Sequence, residues 1–491
     1  MRNYSTTIIG LLFLMSAQFT FGQINFYNQY ANEGADYGEG IVQLEDSSYA
    51  ICGSSSSFTN GHSQAFLLKL DSLGNRVWSN HYGGFESESA RRVMYKKNFG
   101  FFIAGFTNSI GAGAYDFYLA KISEVGTLEW QKSYGGEGWD RVRDAKMTLD
   151  TGVVMVGEIT NTNGDQDWYV VKTDMAGDTL WTRTFGRGGN DIANCVELYQ
   201  DSLYVIGGTV FNEDSLKTKS MFVYLDADGT IIDSLELGSN GSYALNDITI
   251  WNDTIQGVGN YKLSDTNQYD ISFYRMKIYP DSLALITLTI FNPPGDYYGH
   301  LITAYGDGSK RYVAMGTENQ PLAFVPGQDL FVGHYTSTFV GLGNVCWLTE
   351  PFPDYGGQFI ATSDGGAAMT GYRSGVGESQ GTVFLLKIGK NDTYPIINGL
   401  AFIYDLVSVE ETNEIVGLNL FPNPTTNNLT VEISEPGDYT VSIVNVLGQE
   451  VYLNNIVGTE TIDVSTFAAG SYVVNISNAE LQVSSCKISI R

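Results

Sequence analysis

The chain has 491 residues, 43% of them apolar, with 56 Gly, 31 Tyr and 26 Phe, and only 27 Lys plus Arg against 54 Asp plus Glu. The formal charge of −27 excludes the clustered basic surface that nucleic acid or anionic lipid requires. Abundant Gly and aromatics suit many short strands joined by tight turns rather than helices.

The N-terminus, "MRNYSTTIIGLLFLMSAQFTFGQ", has a basic start at Arg2, an apolar stretch from Ile8 to Met15, and small residues at Thr20 and Gly22. This is the pattern of a signal peptide over residues 1–22, too short to span a bilayer as a stable helix. No later segment is apolar enough to be transmembrane. The four cysteines, Cys52, Cys195, Cys346 and Cys486, form no C-x-x-C pair and read as buried free thiols.

From residue 23 to 394 the chain repeats. Trp78, Trp130 and Trp181 are 52 and 51 residues apart, each inside a related phrase such as "EWQKSYGGEGWDRV". A second column is a Gly closing a short apolar run, at Gly53, Gly105, Gly157, Gly207, Gly259, Gly316 and Gly371. An apolar run such as "FLLKLD" or "WYVVKTD" follows, and in four units a Gly-containing turn such as "DSLGN" comes next, then the Trp segment. Each unit of about 52 residues therefore holds four short antiparallel strands. A single four-stranded sheet cannot bury both of its faces, but seven arranged radially bury one another. The expected fold is all-β, a seven-bladed β-propeller. Phe26 aligns with Trp78 at the same spacing of 52, so residues 24–31 are expected to complete the last blade. Residues 396–407 are the alternative source of that strand.

Residues 395–417 read as a linker, and residues 418–491 as a small C-terminal immunoglobulin-like β-sandwich with period-two alternation. The stretches "FPNPTTNNLTV", "VLGQEV" and "FAAGSYVVNI" resemble the C-terminal sorting domain of type IX secretion cargo, with Pro422, Asn423, Pro424, Gly448 and Gly470 at its motif positions. The propeller units also resemble the Gly- and Trp-rich repeats often attached to such tails. The resemblance implies the type IX secretion machinery as a partner. It also implies passage through the periplasm to a secreted or outer-surface location, without naming a molecular activity.

Superposing the units places an acid just ahead of each innermost strand: Asp36, Glu88, Asp140, Asp191, Asp296 and Asp354, with Tyr243 in the fifth unit. Six carboxylates around one channel mouth would form a negative rim able to attract a cation such as calcium. Alternatively, each accepts hydrogen bonds from backbone N–H groups in its own turn. Tyr37, Phe85, Trp139, Tyr243, Tyr297 and Tyr355 accompany these acids. Such pairs can stack on a sugar ring or anchor a protein partner, or they can wedge adjacent blades. His62, Asp165, Trp168 and His300 are unrepeated residues expected near the same face.

Asp followed by Ser or Thr and an aliphatic resembles the O-glycosylation acceptor of proteins exported by this route. It marks Ser72, Thr179, Ser202, Ser215, Ser234, Thr254 and Ser282, each also readable as a turn residue.

With four His and no HExxH, GxSxG or phosphate loop, no catalytic residue is assigned. No cofactor other than calcium is suggested. The expected function is an exported binding or adhesion module for a glycan or protein. The alternatives are an extracellular enzyme that degrades polysaccharide or peptide at the propeller face, and a scaffold with no ligand of its own.

Overall fold

The computed structural model describes residues 26–389 and 418–490, apart from 31–34, 57–61, 201, 213–214, 239–240, 264–267, 292–295, 305–309, 319–328, 337, 340, 349–353, 375–380, 423–424, 434–436, 446–449, 469 and 479–482. The expected signal peptide, the 395–417 linker and the alternative strand at 396–407 lie outside these residues, as do the sorting-motif positions Asn423, Pro424 and Gly448.

Residues 36–82, 88–134, 141–185, 192–237, 241–291 and 296–348 each fold into a four-stranded antiparallel sheet whose strands follow chain order. A further sheet takes its first three strands from residues 354–388 and its fourth, Phe26–Tyr30, from the other end of the chain. The pairing register explains the alignment read from the sequence. Phe26 lies opposite Lys387, just as Trp78 lies opposite Lys69, Trp130 opposite Lys121 and Trp181 opposite Lys172.

The third strand of the second sheet, Asp116–Ile122, is buried along its whole length because a neighbouring sheet covers each face. Apolar clusters join each sheet to the next. Leu67 of the first packs with Ile103 of the second, and Phe102 of the second with Val153 of the third. The series closes on itself: Ile51 and Phe66 of the first sheet share a cluster with Ala368 and Leu385 of the last. The first strands of neighbouring sheets approach one another all the way round and so surround a common axis. The architecture is all-β and propeller-like.

The Gly column has a steric cause. A Cβ on Gly53, Gly105, Gly157, Gly259 or Gly371 would come within 2.0 Å of a carbonyl oxygen on the adjacent innermost strand. In the fourth sheet the matching residue is Gly208, not Gly207: a Cβ there would meet the Ile192 carbonyl oxygen at 2.1 Å. The adjacent Gly pair in "VIGGT" made the sequence column slip by one position.

The Trp column has a different cause. In the first four sheets the turn between third and fourth strands carries a Gly at positive φ, as at Gly126 (φ 85°) and Gly177 (φ 77°). The Trp of the preceding sheet lies over it, Trp78 on Gly126 and Trp130 on Gly177. Asp71 shapes the first such turn by accepting hydrogen bonds from the N–H groups of Leu73 and Asn75 at 2.9 and 2.8 Å.

The C-terminal unit contains a three-stranded sheet, Leu418–Phe421, Asn428–Ile433 and Glu460–Asp463, and a four-stranded sheet, Glu450–Val457, Asp438–Asn445, Gly470–Asn478 and Val483–Ile490. Leu429 and Val431 of the first pack with Val441, Ile443, Val474 and Ile488 of the second. Among the described residues, no helix is long and apolar enough to cross a membrane.

Candidate functional site

The repeated acids are engaged within the fold. Asp36, Glu88, Asp140 and Asp191 are buried. Glu88 accepts hydrogen bonds from the Gly84 N–H at 3.0 Å and the Thr107 hydroxyl at 2.8 Å. Asp140 accepts from the N–H groups of Gly136 and Thr160 at 2.6 and 2.9 Å, and Asp191 from those of Arg187 and Phe211 at 2.9 and 2.6 Å. Asp296 accepts from the Tyr269 N–H at 2.9 Å. This is the turn-acceptor role, in which each acid ties the loop entering a sheet to its own second strand or to the preceding sheet. It withdraws the best-described carboxylates from an open ligand-binding rim. Burial raises the pKa of Asp140 and Asp191, and the backbone N–H groups partly offset that rise. The side chain of Asp354 lies outside the described ones.

The aromatic positions divide. Tyr243 and Tyr297 are buried wedges. Tyr37 and Tyr355 both pack on Tyr372, with ring centroids 4.7 and 4.8 Å away. Phe85 and Trp139 are exposed. Of the four unrepeated residues expected near one face, Trp168 is fully buried, its Nε1–H donating to the Thr209 carbonyl at 3.0 Å. It fills the inter-sheet core beside Gly208, so it cannot serve a surface site. His62 lies 3.5 Å from Glu86 in a solvent-exposed pair.

A second feature lines the axis. Every innermost strand has a register shift at the same point, leaving Glu39, Arg91, Arg143, Asn194, Asn246, His300 and Gly357 as bulge residues. A bulge re-aims side chains, and here the bulge residue or its successor reaches the next sheet. Arg91 pairs with Glu39 at 2.7 Å and Arg92 with Asp144 at 2.6 Å. Asp144 accepts from the Val196 N–H and Asp247 from the Ile302 N–H, both at 2.9 Å. Gln358 of the last sheet accepts from the Ile41 N–H of the first at 2.8 Å. Lys146 and Glu197 form a further pair at 2.7 Å. The axis is thus a stitched polar ring.

The third feature is local to the second and third sheets. Trp139 stands just ahead of the innermost strand Arg141–Met147 and is 48% exposed. Its backbone is held on both sides by Thr160, whose hydroxyl oxygen accepts from the Trp139 N–H at 3.0 Å and whose hydroxyl donates to the Trp139 carbonyl at 2.9 Å. Tyr115, from a loop of the second sheet, bridges to Trp139, with ring centroids 4.9 Å apart. The Arg141 guanidinium carbon lies 4.7 Å from the Trp139 ring centre, 5.5 Å from that of Tyr115 and 5.4 Å from that of Phe106. Loss of hydration lowers the Arg141 pKa, nearby Glu158 opposes this, and Arg143 and Arg91 reinforce it. At the corresponding position before the acid, the neighbouring sheets carry Ser87 and Asn190, so the Trp is particular to this junction.

Among the described residues, no group of three or more His, Cys, Asp or Glu side chains is arranged to hold a metal ion. The Asp-Ser/Thr positions are distributed. Thr179, Ser202, Ser215 and Ser234 are exposed, whereas Ser72, Thr254 and Ser282 are half-buried. Asp253 is engaged by Tyr199 at 2.9 Å and Lys277 at 3.1 Å. Pro422 is exposed and Gly470 opens a strand.

No curated protein matches the chain. Among solved structures, it is similar to the WD40 domain of Pan2 from Neurospora crassa, with a TM-score of 0.44, 12% identity, and 73% of this chain and 97% of that one covered. It is also similar to Sqt1 from Chaetomium thermophilum, with a TM-score of 0.42, 11% identity, and coverages of 72% and 86%. The β-propeller domain of the Trilobed protease from Pyrococcus furiosus gives a TM-score of 0.33, 10% identity, and coverages of 69% and 88%. Residues 419–491 match the family model of the secretion system C-terminal sorting domain. The chain is therefore cargo of type IX secretion, exported to a secreted or outer-surface location through that domain.

Proposed function

We propose that the exported protein is a seven-bladed β-propeller, residues 23–394, that acts as an extracellular binding module for a glycan or protein. In this reading residues 1–22 direct entry to the periplasm, residues 395–417 are a linker, and residues 418–491 form an immunoglobulin-like sandwich that the secretion machinery reads.

The single observation carrying the binding role is the Trp139 indole. A large aromatic on the rim, with its backbone clamped by Thr160 and its ring buttressed by Tyr115, loses little conformational freedom when a ligand packs on it. Its neighbours on the ring do not repeat it, as expected of a ligand contact rather than of a part every sheet needs.

The test is a glycan and protein-partner array with the exported protein and its Trp139→Ala variant. An anchoring aromatic typically contributes ~2 kcal/mol, so the variant is expected to bind about 30-fold more weakly. Ligands found on the array that bind the variant as tightly would remove Trp139 from the site.

A further inference from the structure

Arg141 is built unlike the other arginines of its neighbourhood. Arg143 donates to both oxygens of the buried Glu158 at 2.8 Å, and Arg91 pairs with Glu39 at 2.7 Å. Arg141 lies beside the same Glu158, whose two oxygens are already taken, and its side chain makes no hydrogen bond or ion pair among the described residues. Its Nε is buried with no partner. Phe106, Tyr115 and Trp139 surround the guanidinium. Aromatic rings stabilise the faces of a guanidinium but accept none of its in-plane N–H donors. In a chain of charge −27, this guanidinium is thus oriented by three rings, feels Glu158 only at a distance, and forms no direct ion pair among the described residues.

The chemistry that completes such a fork is a planar two-oxygen anion, because a carboxylate takes two parallel N–H donors. The exposed Trp139 ring beside it offers a flat apolar surface of the kind on which a sugar ring stacks. Resting on the binding role proposed above, we infer that this cradle takes a hexuronate residue of an acidic glycan, with Trp139 under the pyranose ring and Arg141 holding the carboxylate. The strongly negative remainder of the protein disfavours densely charged polyanions and leaves short or sparsely charged uronates as the matching class.

The experiment measures binding of the exported protein to a panel of uronate oligosaccharides and to the same sugars after chemical reduction of their carboxyl groups. A tri-glutamate peptide serves as a non-sugar carboxylate. At least one uronate is expected to bind, and its reduced counterpart to bind at least about tenfold more weakly, the equivalent of losing one charge-assisted hydrogen bond. Arg141→Gln should erase that difference. Arg141→Lys, which keeps the charge but not the fork, should erase most of it, with the melting temperatures of both variants checked against the parent. Trp139→Ala should weaken the acidic and reduced sugars alike.

Equal binding of acidic and reduced sugars, with Trp139→Ala still weakening both, overturns the uronate assignment and leaves the binding role intact. Peptide binding as tight as uronate binding overturns the sugar assignment. Failure of every sugar and of the peptide overturns the inference, while a Trp139-dependent partner on the wider array would still sustain the binding role.

Discussion

The hydroxyl of Tyr30 donates to the carbonyl oxygen of Gly74 across 2.6 Å. Tyr82 makes the same bond to Gly126 at 2.8 Å, and Tyr134 to Gly177 at 2.6 Å. In each case the outermost strand of one sheet is fastened to the last turn of the next. The N-terminal strand therefore closes the ring with the same contacts that join the interior sheets. Replacing Tyr30 by Phe is expected to cost ~1 kcal/mol in urea denaturation, the usual net contribution of one hydrogen bond. Tyr134→Phe should cost a similar amount. Removing residues 23–31 should cost several times more, because it strips the strand that pairs with Gly381–Ile388. An unchanged midpoint after that deletion would show that the strand does not close the ring.

Gly177 combines two constraints, a φ of 77° and the Trp130 ring, which would lie 2.6 Å from an added Cβ. An alanine there must adopt an unfavoured backbone conformation and push the indole aside. Gly177→Ala is expected to destabilise by ~1–3 kcal/mol in the same assay. The double variant with Trp130→Ala should lose less than the sum of the two single changes, since the clash is shared. Strict additivity would show that the ring and the turn do not depend on each other.

Asp140 is expected to behave as a structural residue. Asp140→Ala leaves the N–H groups of Gly136 and Thr160 without their acceptor, at a cost of ~2 kcal/mol or more. Because these carboxylate oxygens are occupied, EDTA should change neither melting temperature nor ligand binding. A chelator-dependent fall in either would restore a cation to the mouth of the channel.

How far these features were legible depends on whether they repeat. The Trp column, and the match of Phe26 to Trp78, were readable because the ring recurs wherever the turn of the next sheet carries a Gly at positive φ, at Gly74, Gly126, Gly177 and Gly229, and the Gly column because the same close approach to the innermost strand recurs. The axial bulge was invisible. Its seven positions run from Glu39 through Asn194 and His300 to Gly357, and a bulge constrains backbone rather than residue type. A column of changing residue type, with only Arg and Asn used twice, was the signal available. Trp139 stood out beside its acid, but its partners did not. Tyr115 and Phe106 come from the loop and strand of the preceding unit, and the packing of the second sheet against the third brings them to Arg141. Trp168 was misplaced because an aromatic near a strand end reads alike whether it faces the rim or the inter-sheet core.

The axis also sets a pH dependence. Burial pushes Asp247 up to about 7, the Ile302 N–H opposes this, and neighbouring Asp144 adds to the rise. A carboxyl group whose folded pKa exceeds its unfolded one holds its proton more tightly in the folded state. Its contribution to stability is therefore full below the ordinary carboxylate range, falls as pH rises towards about 7, and is flat above. Asp150 and Asp364 act in the opposite sense. Their pKa values are lowered, with hydrogen bonds to Thr148 and Lys172, and to Lys387 and Thr362, outweighing burial, so their contribution is lost as pH falls through the acid range. Comparing parent and Asp247→Asn isolates the first effect, because every other group titrates in both proteins. The amide cannot accept from both the Ile248 and Ile302 N–H groups, so the variant should be less stable overall. The difference between the two proteins should shrink steadily as pH rises from 4 to 7 and stay constant above. A difference that is the same at every pH would show that Asp247 is already ionised across that range, and that the polar ring solvates its charge better than its burial implies.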